Sequence, residues 1–298
     1  LSKPPIRTHT AGWPIGFRRA RTAWQQDLPA LLDFAAREGF AFIDFGPVDV
    51  TAVHAASDAG LRVGTVDLLD WQALLSHDVG RRSAAVLANA QHIRSHVAAG
   101  VRRFLTVLTP AEPAAPRREN FAAAVEAYRS LAEAAGECGA QILLEGAPGR
   151  PPHFANLGCT PADLRAFLEA VGSNAVSVNF DPSHLVRMGI DPVRFVREFG
   201  PRFGHVHAKD VLFGDALLYE HGTLQQATFF DPPPYAGPSW RYVLPGRGSV
   251  PWAAIGEELQ KVGYAGDVSI ELEDADYLTD AAAEQAGLRQ SAGFLQPW

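Results

Sequence analysis

The stretch YRSLAEAAGECGAQILLEGAPG, residues 128–149, carries the pattern that decides the fold. A helical run of small and apolar residues ends at Cys138, and Gly139 supplies the left-handed turn that stops it. The β-rich segment Gln141–Glu145 follows at once and finishes on a carboxylate. The same order recurs along the chain. Helix–glycine junctions stand at Glu38-Gly39, Ala59-Gly60, Ala99-Gly100, Phe199-Gly200 and Val262-Gly263. Strands are expected at Ile6–Thr10, Ala41–Phe45, Val63–Asp67, Arg103–Leu108, Gln141–Glu145, Val176–Phe180, Gly204–Ala208 and Val268–Leu272. Between them, helices are expected at Asp27–Glu38, Val50–Ala59, Arg81–Ala99, Arg118–Cys138, Pro161–Val171, Pro192–Phe199 and Trp252–Val262. Strands that alternate with crossover helices build a parallel sheet. The regular beat favours its closed form, a single (β/α)8 TIM barrel over residues 1–298, of which about 250 residues is the usual size.

Two segments break the rhythm. Glu145–Thr160 is rich in Pro and Gly, and residues 211–251 are too long for a simple strand-to-helix loop. The second carries Phe229, Phe230, Tyr235, Trp240 and Tyr242. Aromatics are costly to leave in water, so this insertion is expected to be a lid or an oligomer contact, against the plainer reading of a surface decoration.

Bulk properties narrow the partners. Forty-seven per cent of the residues are hydrophobic, ample for a core, and the formal charge of −7 disfavours nucleic acid. Cys138 and Cys159 form neither a CxxC nor a zinc pattern, so a reducing cytoplasm is the simplest home. The opening residues LSKPPIRTHTAGWP have no apolar signal region, and no run reaches the roughly 18 apolar residues of a membrane span, so no membrane partner is expected.

Chemistry gathers where the later strands end. Glu145 closes the fifth strand, Asp181 follows the sixth in VNFDPSH, His207 ends the seventh in GHVHAKD, and Glu271 ends the eighth in SIELED. Carboxylates are seldom buried without a partner, so four such groups at one barrel mouth call for hydrogen-bond donors or a cation. The mostly hard donor set suits Mn²⁺, Mg²⁺ or Co²⁺, with Zn²⁺ or Fe²⁺ also open. Period-two alternation puts His205 and His207 on the same inward side, with His205 deeper and hydrogen-bonded in the interior. His184, three residues after Asp181, reads as a group that touches substrate or supports the ligands, or else as a turn residue. His9, at the end of the expected first strand, and Trp13 close behind it could form a sugar-stacking wall, or Trp13 could be core. Asp44 and Asp67 suit hydroxyl binding or loop capping. His153 and Asn156 lie in the loop after Glu145, Lys209 could approach an anionic or carbonyl oxygen or simply pair with Asp210, and Arg247 could reach the mouth from the approach to the last strand.

FDPSHLVRMGIDPVRFVREFG (180–200), GHVHAKD (204–210), GRGSVPW (246–252) and GYAGDVSIELED (263–274) resemble the xylose isomerase-like barrel superfamily. They are most similar to its sugar phosphate isomerase/epimerase branch, which includes ketose 3-epimerases and inosose-processing enzymes. The resemblance is specific from Glu145 to Asp274, and rests on strand rhythm alone before that. It implies that Glu145, Asp181, His207 and Glu271 ligate one divalent metal, Mn²⁺ by preference. It also implies that Glu145 and Glu271 exchange protons with the substrate carbon, and that His184 contacts a sugar oxygen. The expected activity is a metal-dependent epimerase or isomerase acting on a ketose or keto-sugar through a metal-bound enediolate. The alternative is a lyase, inosose dehydratase-like or keto-glycoside-cleaving, that works by β-elimination from the same carbanion. A non-enzymatic sugar-binding protein is a further alternative. A DNA-repair endonuclease of the superfamily is disfavoured, because Asp215 and His221 lack the Asp-x-His spacing of a three-zinc cluster. A small carbohydrate is the expected partner, together with homo-oligomerisation or a complex formed through the barrel loops. Two departures bear on the substrate. FIDFG stands where many relatives have a Glu at the end of the second strand, and the 211–251 insertion has no counterpart in compact ketose 3-epimerases.

Overall fold

The structure, a computed structural model, describes residues 12–150 and 153–296. Eight parallel strands close into a barrel: β1 (Ile15–Arg18), β2 (Phe42–Phe45), β3 (Arg62–Asp67), β4 (Arg103–Thr106), β5 (Gln141–Glu145), β6 (Val176–Phe180), β7 (Phe203–Ala208) and, late in the chain, β10 (Val268–Ile270). The ring closes where β1 pairs with β10, Ile15 opposite Val268, and with β2, Phe17 opposite Ile43.

The first strand is the one stave misplaced by the sequence reading. Ile6–Thr10 lies outside the described residues, and Ile15–Arg18 occupies the first place in the barrel. Gly16 disguises it, since glycine inside a short run weakens the strand signal. Here the glycine is needed. A Cβ at this position would lie 2.5 Å from the Phe42 ring.

The helices form where caps and periodicity direct them. Asp27 caps Leu28–Glu38 through Ala30 N, and Gly39 ends that helix at φ 76°. Thr160 caps Pro161–Val171, with Pro161 at the first position. The helices Val50–Asp58, Val79–Ala98, Arg117–Glu137, Pro192–Phe199 and Trp252–Lys261 likewise stand where the sequence puts them. Their apolar faces pack on the barrel's outer side. Phe17, for example, meets Phe34 and Phe40 edge to face.

Among the described residues the longest helix outside the expected set is Ala281–Leu295. Its buried Glu284 accepts from Thr22 Oγ1, Trp24 Nε1 and Gln25 Nε2, tying the end of the described chain to the segment after β1. At the N-terminal end of the barrel, Asp267 accepts from both Arg62 and Arg103.

The insertion is not a bare loop. β8 (Asp210–Phe213) and β9 (Trp240–Val243) pair antiparallel, with a short helix Asp215–His221 between them. Asp210 anchors its return. Its carboxylate accepts from the backbone N–H of Val211, Gly246, Gly248 and Val250 and from Trp252 Nε1. Asp210 is therefore a structural staple and not the ion-pair partner of Lys209.

Candidate metal centre

The parallel strands all deliver their C-terminal ends to one mouth, and the four expected side chains converge there. Glu145 ends β5, Asp181 follows β6, His207 is the fifth residue of β7, and Glu271 follows β10. One donor atom from each lies within 4.8 Å of the others. His207 Nδ1 is flanked by Glu145 Oε2 at 3.1 Å and Glu271 Oε2 at 3.6 Å.

Local structure aims each group. Asp181 caps Pro182–Arg187, and its Oδ1 accepts from Ser183 N at 2.9 Å and Ser183 Oγ at 2.6 Å. That commits one oxygen to the turn and leaves Oδ2 toward the centre, buried and without a hydrogen bond. Asn179 donates to Glu145 Oε2 at 2.9 Å. His184 reaches Glu145 Oε1 with Nε2 at 3.0 Å and Tyr242 Oη with Nδ1 at 2.7 Å. Arg187 also donates to Tyr242 Oη, at 2.9 Å. With its hydroxyl so placed, Tyr242 can offer its own proton to His184 Nδ1. His184 then directs its Nε2 proton at Glu145.

Lys209 is enclosed by acids. Its Nζ lies 2.5 Å from Glu271, 2.9 Å from Glu273 and 3.2 Å from Asp181, with the Tyr242 ring 4.5 Å away. Arg18, at the end of β1, forms a two-pronged pair with Asp67 and comes within 3.4 Å of Glu271. Below the mouth, His205 Nε2 meets Asp44 Oδ2 at 2.7 Å, both fully buried.

The electrostatics follow from this crowding. Burial alone would raise the Glu145 carboxyl, but His207 and His184 hold it well below the usual range. Burial would lower His207, yet Glu145 and Glu271 push it well above the ordinary imidazole value. Lys209 is raised in the same way, its desolvation outweighed by Asp181, Glu271 and Glu273. Glu273 goes up, chiefly through burial, and so does Asp67 despite Arg18. Asp44 falls to about 2 because His205 more than offsets its burial.

The donor set fits a divalent cation. Asp181 Oδ2 and His207 Nδ1 are buried polar atoms without hydrogen bonds, and both belong to the converging four. Buried atoms left in this way are expected where an ion is to be held.

Not every expected contact reaches the mouth. Trp13 is buried at the opposite end, where its Nε1 donates to the Tyr264 carbonyl, so it is a core residue and no stacking wall. Arg247 is exposed, packs over Tyr277 and bonds Gln290, which turns it away from the carboxylates. His153 is exposed on its loop, and Asn156 holds the Ala147 carbonyl within that loop. His9 lies outside the described residues. Asp44 and Asp67 pair with His205 and Arg18 and cap no loop.

Several groups at the mouth were missed, Glu273, Arg18 and Tyr242 foremost. Glu273 stands two residues beyond Glu271, and strand alternation could have put both on one face. Arg18 was hidden with its strand. Tyr242 was read only as one aromatic of the insertion, and nothing in the sequence tells that β9 folds it back onto His184.

The family described as xylose isomerase-like TIM barrel matches residues 22–298. Among curated relatives, the uncharacterised protein YfiH of Bacillus subtilis (strain 168) is 34% identical over 176 residues, 58% of this chain and 51% of that one. The D-psicose 3-epimerase of Agrobacterium fabrum is 27% identical over 207 residues, 66% of this chain and 59% of the relative. The inosose dehydratase of Lacticaseibacillus casei is 28% identical over 145 residues, 48% of this chain and 44% of the relative. The matches thus span about half the length of these relatives. A crystal structure of the IolI protein with a bound zinc atom superposes with a TM-score of 0.72 at 16% identity, covering 94% of this chain and 96% of that one. Among the described residues no helix is long and apolar enough to cross a membrane. A closed eight-stranded barrel and a match over nearly its whole length lead to one conclusion: the chain belongs to the xylose isomerase-like TIM barrel family.

Proposed function

We propose that the protein is a divalent-metal-dependent epimerase or isomerase that moves a proton on a carbon next to the carbonyl of a ketose or keto-sugar. The observation that carries this reading is the convergence of Glu145, Asp181, His207 and Glu271, with donor atoms within 4.8 Å of one another. These four would hold the cation, with manganese preferred because three of the donors are carboxylates. When bound, such an ion supplies a Lewis acid that polarises a carbonyl and offsets charge developing on its oxygen.

The chain's own groups do the rest. Glu145 and Glu271 come from strands separated in the ring by β6 and β7, so they reach the mouth from different sides of His207. One carboxylate removes the α-proton and the other returns a proton to the opposite face, which is epimerisation. Delivery to the neighbouring carbon is isomerisation. His184, held by Tyr242, fixes the direction of Glu145, and its Nε2 can pass from Glu145 to a sugar hydroxyl when substrate enters. The buried Lys209 ammonium balances the acids around it and stands ready for an oxygen that gains charge.

A second reading, β-elimination, is favoured by the same ammonium. Only 2.5 Å from Glu271, it can protonate a departing hydroxyl or glycosidic oxygen. The likeness to an inosose dehydratase supports that alternative. In either case the substrate is a small carbohydrate.

The test is hydrogen exchange in D₂O with a panel of ketoses, inososes and keto-glycosides, with and without chelator. Chelator-sensitive deuterium incorporation with inversion or carbonyl migration is expected. Loss of water or of an aglycone would establish the lyase, and binding without exchange would reduce the protein to a sugar receptor. Glu271→Gln should abolish turnover; a variant with near-normal rates would remove Glu271 from its role.

A further inference from the structure

The two ring nitrogens of His207 face different groups. Nδ1 looks into the acidic ring, 3.1 Å from Glu145 and 3.6 Å from Glu271. Nε2 faces Asp44, whose Oδ2 is 3.9 Å away. His207 and Asp44 are fully enclosed, and neither His207 Nε2 nor Asp44 Oδ1 makes a hydrogen bond.

An imidazole that gives one nitrogen to a cation keeps its proton on the other. If Nδ1 serves the mouth, the proton sits on Nε2, in an interior where no solvent reaches it. A buried N–H without an acceptor is costly. His207 Nε2, which lacks an acceptor, and Asp44 Oδ2, 3.9 Å away, therefore stand about one ångström beyond a normal hydrogen bond.

Asp44 is built to stay there. Its Oδ2 is tethered by His205 Nε2 at 2.7 Å. Across β3, Gly64 leaves room for the carboxylate, since a Cβ there would collide with Asp44 Oδ1. The Ser269 hydroxyl also lies beside this carboxylate and helps to hold it ionised.

We propose that Asp44 is a positioning residue for the cation site: it accepts the Nε2 proton of His207 and thereby fixes Nδ1 toward Glu145, Asp181 and Glu271. This rests on reading the mouth as a cation site, and it adds the carboxylate that sets how tightly that site binds. Asp44, His205 and His207 also lie close enough together to hold an ion themselves. The His205–Asp44 hydrogen bond already uses two of those three donors, so the support role is favoured.

The test is titration of the full chain with Mn²⁺, paired with NMR of ¹⁵N-histidine-labelled protein loaded with Zn²⁺. The wild type should bind one ion, and Asp44→Asn should bind it about 10- to 100-fold more weakly. The spectra should place the metal on Nδ1 of His207 and the proton on Nε2. Wild-type affinity in Asp44→Asn, or a His207 proton on Nδ1, would overturn the proposal. Two ions in the wild type and one in the variant would also overturn it, in favour of a second ion site. The NMR arm needs no variant, so poor folding of Asp44→Asn leaves the idea exposed. A wild type that binds no divalent ion sinks the mouth reading as well, whereas retained affinity in Asp44→Asn sinks only the role of Asp44.

Discussion

At the scale of single residues, the mouth works through atoms left over after local bonds are made. Asp181 spends one oxygen on its own turn and keeps the other for the centre. His184 is set by a hydroxyl from the insertion, which gives Tyr242 a measurable part. Tyr242→Phe removes only the oxygen between His184 and Arg187. It should keep the fold and lower exchange turnover about tenfold, the loss expected from one buried hydrogen bond of 1–2 kcal/mol. Unchanged turnover would mean that His184 needs no such support.

At the scale of elements, the Ala281–Leu295 helix acts as a clasp through a single carboxylate. Glu284→Ala strips the acceptor from Thr22, Trp24 and Gln25 together. Stability should fall by about 3 kcal/mol in denaturant unfolding, since hydrogen bonds to a buried charge are among the strong ones. A loss below about 0.5 kcal/mol, the ordinary surface effect, would refute the clasp. The clasp also shows where sequence reading falters. Helices flanked by Gly, Pro and acidic caps were legible, because those signals are local. Strands β2 to β7 and β10 were legible because each is a short apolar run with a polar residue at its end or next to it. Ile15–Arg18 was not, because its glycine is dictated by Phe42, a neighbour on another strand. The four converging side chains could be read from strand ends alone. The roles of Tyr242, Arg18 and Glu273 depend on which elements fold together, and one-dimensional spacing does not contain that.

At the scale of the whole molecule, the barrel carries charge at both ends. Opposite the mouth, Asp267 is kept below the usual carboxylate range because its pairs with Arg62 and Arg103 outweigh its burial. A depressed carboxyl stabilises the fold above its unfolded value, about 3.9, and that contribution fades as the pH falls further. Asp267→Asn should therefore cost about 2 kcal/mol between pH 5 and 8, less than a fully buried pair because Arg62 is half exposed. The gap from the wild type should close below about pH 4. A gap independent of pH would assign the loss to packing instead of charge.

The Asp210 staple and the β8–β9 pairing have a practical corollary. Both feet of the excursion are pinned beside Lys209, while its far part carries Phe229 and Tyr219 largely in the open. Residues 215–234 therefore form an exchangeable cassette. Grafting in a shorter or differently lettered version should alter what the molecule can reach without disturbing the atoms that react.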